Sequence, residues 1–210
     1  MKEEKVFFPS DGIQLEGLLG IQEALSNKKG MVLCHPHPQF GGNMYNTVIT
    51  TAVEVAQKEG YSTLRFNFRG VRRSGGQYGE GIKEQEDVKS AIDYLCLKLE
   101  GQLNSLILLG YSFGAMTGIP VAVNDRRVTG MVMVAPPLEK SSFEFLKGCK
   151  KDKLIIVGSE DEFCPKPILE EWYQSLEEPK SLSVIEGEDH FFFSNPRSIL
   201  QPLQEFLRKF

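Results

Sequence analysis

The sequence predicts an α/β domain built on a mostly parallel sheet, and three observations carry that reading. Short apolar runs alternate with longer stretches of helical period along the chain, the pattern of strands crossed over by helices. An apolar pair at the N-terminus is joined by a turn signal, which adds antiparallel strands at one edge. The chain has 210 residues, 41% of them hydrophobic and 25% charged, close to globular usage and long enough to bury a core. Disordered and fibrous classes are thereby excluded. One domain over residues 1–210 is expected, because no repeat, low-complexity segment or linker-like stretch divides the chain.

Each element follows in order. Lys5–Pro9 and Ile13–Gly20, linked by Ser10-Asp11-Gly12, read as a hairpin. Met31–Cys34, Tyr61–Phe68, Ser105–Leu109, Val128–Val134, Lys153–Val157 and Ser181–Ile185 read as buried strands, giving about eight in all. Helical stretches fall between them. Asn46–Gln57 opens on a capping Asn and ends before Gly60, and Lys83–Leu99 sets Val88, Ile92 and Leu95 on one face. Ser112–Val123, Pro167–Leu176 and Pro196–Arg208 complete the set, with helices expected on both faces of the sheet.

Charge and cysteine usage exclude several partners. Asp and Glu number 28 against 24 Lys and Arg, a formal charge of −4, so no overall field draws nucleic acid or anionic lipid. The cysteines at 34, 96, 149 and 164 form no CxxC pair, neither a disulfide framework nor a zinc pattern. No apolar run approaches the roughly 18 residues of a spanning helix, and MKEEKVFFPSDG lacks the apolar core of a signal peptide. A cytoplasmic protein with no nucleic-acid or membrane partner is expected; no oligomeric state is legible.

The sharpest chemical feature is Gly110-Tyr111-Ser112-Phe113-Gly114, which follows the strand SLILL and opens the helical AMTGIPVAV. G-x-S-x-G in that context sets a serine on a sharp strand-to-helix turn, where the helix N-terminus offers free N–H groups to an oxyanion. One of those donors is Phe113, the residue after the serine. A serine nucleophile needs a base oriented by a third group. The histidines are His35, His37 and His190, the last in a loop after the final strand. Asp161, after the strand LIIV, is the favoured acid; Glu160, Glu162, Asp189 and Glu139 compete with it. In Cys34–Gly42 the prolines at 36 and 38 lack an N–H, which leaves His37, Gln39 and Phe40 as further oxyanion donors. His35-x-His37 could also pair on a metal, but no third ligand is spaced nearby, so none is expected.

Two further segments attract notice. Arg65–Gly76 ends a strand in a basic, Gly-rich loop. Arg69, Arg72 and Arg73 are expected to tie loops together or face solvent, with an anion site as the alternative. Phe191-Phe192-Phe193, with Phe40, Tyr111 and Phe113, suggests an apolar pocket; three consecutive aromatics cannot share one face, so at least one belongs to the core. Cys164 is expected to be buried and inert near Asp161.

Taken together, HPHPQFGG, LRFNFRG, GYSFG, the Asp161 loop and the DHFF segment resemble the serine α/β-hydrolase superfamily, most of all its small, cap-less, dienelactone-hydrolase-like members. The resemblance runs from about Val6 to the C-terminus. It implies the eight-stranded α/β-hydrolase fold and a chain order of serine, acid, histidine. His190, the one histidine after Ser112, is then the base of a Ser112–Asp161–His190 triad, and His37, at the position after the usual His-Gly, is the second oxyanion donor. Dienelactone hydrolases proper carry a cysteine where this chain has Ser112, and HPHP replaces His-Gly. The resemblance therefore implies esterase-like chemistry without the dienelactone substrate and without metal or organic cofactor.

The expected activity is hydrolysis of a small-molecule ester or thioester through an acyl-enzyme. An acyltransferase with the same triad and a silent ligand-binding protein on the same scaffold are the alternatives. Fewer than twenty residues separate Val134 from Lys153, so the cap is minimal and the site open.

Overall fold

The strands that the alternation predicts assemble into one eight-stranded sheet. The computed structural model describes residues 2–22, 28–100 and 103–210; of the domain expected over 1–210, residues 1, 23–27 and 101–102 lie outside the described residues. The hairpin is β1 (Glu4–Ser10) and β2 (Ile13–Gly20). β3 (Lys29–Cys34), β4 (Tyr61–Phe66), β5 (Ser105–Tyr111), β6 (Gly130–Val134), β7 (Asp152–Gly158) and β8 (Lys180–Ile185) follow. Their spatial order is β1-β2-β4-β3-β5-β6-β7-β8. β1 and β2 run antiparallel to their neighbours, and the strands from β4 onward are parallel.

The inner strands are buried at nearly every position because both faces are covered, and successive residues feed two cores. Val32, Leu106, Leu108, Met131 and Ile155 face one core with α2 (Glu84–Lys98), α3 (Phe113–Asn124) and α4 (Lys166–Ser175). Met31, Ile107, Leu109, Val132 and Ile156 face the other, with α1 (Thr47–Lys58) and α5 (Leu200–Leu207). As its sequence predicts, α1 is capped by Asn46, whose side chain accepts the Val48 N–H at 2.9 Å. The last predicted helix divides: Pro196–Ile199 is a 3₁₀ turn, and the α-helix begins at Leu200.

The sheet order reverses at β3. From β3 the chain passes through α1 on one face, and from β5 it passes through α3 on the other. The loops beyond these neighbouring strands therefore part and leave a crevice at their carboxyl ends, the usual ligand position in open α/β sheets. Ser112 follows β5 and His37 lies beyond β3, so both border it. Between β6 and β7 the chain holds only the 3₁₀ turn Glu144–Leu146, and the cap is minimal. No helix among the described residues is long and apolar enough to cross a membrane.

Candidate active site

β5 ends at Tyr111 and α3 begins at Phe113, which leaves Ser112 alone to make the turn. It adopts φ 51° and ψ −112°, a region that side-chain-bearing residues rarely enter and that costs of order 1–3 kcal/mol. The flanking glycines allow the turn to close. A Cβ at Gly110 would lie 2.4 Å from the Gly114 carbonyl oxygen, and one at Gly114 would lie 2.1 Å from that of Cys34. The Ser112 N–H donates to the Val134 carbonyl at 2.9 Å, tying the turn to β6.

Ser112 Oγ lies 2.9 Å from His190 Nε2. His190 Nδ1 lies 2.9 Å and 3.0 Å from the two oxygens of Asp161. A carboxylate only accepts, so Nδ1 carries the ring proton and Nε2 is left to accept from the Ser112 hydroxyl. Asp161 Oδ1 also takes the Phe163 N–H at 2.8 Å and the Cys164 N–H at 3.1 Å, which fixes the carboxylate. Asp161 is 4% exposed and His190 6%, whereas Ser112 is only half-buried and can be reached from solvent. Of the competing carboxylates, Glu139, Glu160 and Glu162 are exposed, and Asp189 accepts the Phe191 N–H at 2.9 Å. Among the described residues, Asp161 is the acid that meets His190.

The acid and histidine loops are joined through main chain. A Cβ at Gly158 would sit 2.1 Å from the Glu188 carbonyl oxygen, so only glycine permits the approach. Glu160 N–H donates to that same oxygen at 3.0 Å, and Gly187 N–H donates to Ser159 Oγ at 2.9 Å. From beneath, the buried Tyr111 hydroxyl donates to the His190 carbonyl at 2.9 Å. The Phe163 ring packs on the imidazole at 4.5 Å between centroids. Cys164 is buried beside Asp161, and burial pushes its thiol up to about 12, which makes it inert.

Across β5, the N–H groups of Phe113 and His37 make no hydrogen bond among the described residues. The other sequence candidates are occupied: Gln39 N–H donates to His37 Nδ1 at 3.2 Å, and Phe40 N–H donates to the His37 carbonyl at 3.1 Å. With Nδ1 accepting, the His37 proton sits on Nε2, which meets the Tyr78 hydroxyl at 3.2 Å. Burial lowers the His37 pKa. Tyr78 and the buried Glu84, which takes the Gly79 and Gly81 N–H groups at 2.7 Å and 2.9 Å, are site-ordering residues the sequence did not single out. An acidic residue in the first turn of α2 was the one available signal.

His35 does not pair with His37. Its Nδ1 meets the Pro36 carbonyl at 2.6 Å, its Nε2 accepts the Phe68 N–H at 3.1 Å, and burial lowers its pKa to about 4. Both nitrogens thus serve main chain, holding the loop after β3 to the one after β4. No group of three or more His, Cys, Asp or Glu among the described residues is placed to hold a metal ion.

The single aromatic pocket expected from the sequence is not formed. Phe113 enters the core under α3, and Tyr111 enters the core under α1 and α5, because residues two apart across the turn leave on opposite faces. Phe192 is fully buried, as one of its triplet had to be. Phe40, Phe191 and Phe193 are 84%, 47% and 80% exposed and form an apolar rim beside His37 and His190.

Comparison with known proteins bears on the family and the fold. A profile described as an alpha/beta hydrolase domain matches residues 28–207. The crystal structure of ATU1826 from Agrobacterium tumefaciens, of unknown function, superposes with a TM-score of 0.91 at 30% identity, covering 98% of this chain and 95% of the other. An alpha-beta serine hydrolase homologue from Coxiella burnetii superposes at 0.88 with 31% identity, covering 98% and 97%. The thiohydrolase aneE of Aspergillus aculeatus is 32% identical over 140 residues, which are 65% of this chain and 42% of that protein.

Proposed function

The chain belongs to the α/β-hydrolase family, and from that premise we propose that it is a serine hydrolase that cleaves small carboxylic esters or thioesters through an acyl-enzyme on Ser112. The observation that carries the reading is the unbroken hydrogen-bond chain from Ser112 Oγ through His190 to the buried Asp161, opening at a half-buried serine. Ser112 attacks the carbonyl carbon while His190 Nε2 takes its proton. Asp161 holds the tautomer and stabilises the imidazolium that forms. The N–H groups of Phe113 and His37 receive the oxyanion, each such donor being worth about 3 kcal/mol of barrier. His190 then protonates the departing alcohol or thiol, and water attacks the acyl-enzyme by the same route in reverse.

The minimal cap supports small, freely diffusing substrates, since little closes over the serine. The exposed rim of Phe40, Phe191 and Phe193 supports an apolar portion in the substrate. The resemblance to a fungal thiohydrolase supports thioesters beside oxygen esters. The test is steady-state turnover of a panel of p-nitrophenyl esters and acyl thioesters by wild type and Ser112→Ala. Ser112→Ala is expected to lose at least about 10³-fold in kcat while unfolding at the wild-type temperature. Turnover by that variant at the wild-type rate would overturn the reading.

A further inference from the structure

The basic segment that ends β4 and runs into the loop after it sorts its arginines. Arg65 donates to Glu3 at 2.9 Å and to the Met44 carbonyl at 3.0 Å. Arg69 forks onto the fully buried Asp87 at 2.8–3.2 Å, which offsets its charge. Arg73 lies over the Phe7 ring at 5.1 Å, toward the sheet edge. Arg72 is exposed and forms no ion pair among the described residues; its guanidinium lies over the Tyr45 ring at 4.9 Å from the centroid. A guanidinium held over a ring and in no ion pair keeps N–H groups available to a carboxylate.

Arg72 lines a groove of about 460 Å³ with Gln39, Gly41, Gly42 and Tyr78, and no Asp or Glu lines it. The groove is walled by the loops after β3 and β4. Asp161 and His190 come from the loops after β7 and β8, on the other side of β5. Tyr78 connects the groove to the reacting centre: its hydroxyl meets His37, and the His37 ring packs against Phe113 at 4.8 Å. A leaving group must lie on the His190 side, because His190 returns the proton to it. On the Ser112 hydrolase reading the carbonyl oxygen turns to Phe113 and His37, and the groove beyond Tyr78 is the space that reading gives the acyl chain.

We propose that this groove is the acyl subsite, and that Arg72 selects acyl chains ending in a carboxylate: monoesters or monothioesters of dicarboxylic acids. The inference rests on the Ser112 hydrolase reading above. The test compares p-nitrophenyl hydrogen glutarate with p-nitrophenyl pentanoate on wild type, Arg72→Gln and Arg72→Lys, with fluorophosphonate labelling of Ser112 in parallel. Wild type is expected to favour the anionic ester, and Arg72→Gln to lower the anionic-to-neutral ratio of kcat/KM by ~10- to 100-fold. Arg72→Lys should restore part of that ratio, and added salt should erode it in wild type. An equal ratio in wild type and Arg72→Gln, with Ser112 still labelled, would remove the subsite and leave the hydrolase reading standing. A preference that appears only when the carboxylate is on the phenol would overturn the acyl assignment. A folded wild type that neither labels nor turns over either ester would remove the hydrolase reading and the subsite with it.

Discussion

The two flanks of Ser112 are built by different means. On the β7–β8 side, main chain is pressed on main chain: Gly158 lies against the Glu188 carbonyl, and the loops are laced by Glu160 and Gly187 N–H groups. On the β3–β4 side, buried polar side chains from distant parts of the sequence span the loops. His35 holds Phe68, Asn67 holds Met44 and Glu16, and Asp87 holds Arg69 and Ser10. The first construction leaves little slack around the proposed proton-transfer groups. The second holds open a groove lined by glycine and arginine. Tight main-chain packing suits chemistry that depends on fractions of an ångström, and polar struts suit a wall that must keep its shape without filling the space.

The largest expected effect that sharpens this contrast is on the tight flank. Asp161→Asn keeps the size of the side chain but removes the charge and turns an NH₂ donor toward His190 Nδ1, which favours the wrong tautomer, and kcat is expected to fall about 10³- to 10⁴-fold with the fold intact. Near-wild-type kcat would show that Asp161 does not orient the base. Gly158→Ala comes next: its Cβ must push the Glu188 carbonyl away, carrying His190 with it. A fall of about 10²-fold in kcat is expected, with KM for neutral esters little changed. Loss of stability alone, with full kcat, would separate that contact from the site.

The smallest effect belongs to the strutted flank. His35→Gln should cost about 1–3 kcal/mol in urea denaturation at pH 7, with modest change in kcat. The sign of the pH dependence follows from its depressed pKa. Folded His35 titrates at about 4 rather than 6.5, so between those values the unfolded chain binds the extra proton. Stability that is full above pH 6.5 is therefore lost as pH falls toward 4, by about 3 kcal/mol at 1.36 kcal/mol per unit. His35→Gln should lack that component, and an identical pH slope in both proteins would contradict it.

The same contrast explains what the sequence disclosed. The sheet was legible because most inner strands carry a short apolar run, and the serine turn because close main-chain approach demands glycine on both sides of it, Gly110 against Gly114 and Gly114 against Cys34. The proximity of Ser112, Asp161 and His190 followed from a family resemblance in chain order, and those three side chains do stand in one hydrogen-bond chain. The polar flank was opaque. Tyr78 and His37 are 41 residues apart, and Asp87, in a charged helical stretch, gave no sign of being buried against Arg69. β4 was expected to reach Phe68 but ends at Phe66; beyond it the Phe68 N–H is taken by the His35 side chain instead of a neighbouring strand.

The central claim is an activated serine in a working relay. Its most direct measurement is intact mass after treatment with a fluorophosphonate on wild type, Ser112→Ala and His190→Ala. The account expects one adduct on wild type and none on either variant. A folded wild type that takes no adduct, or a Ser112→Ala variant that still takes one, would contradict it.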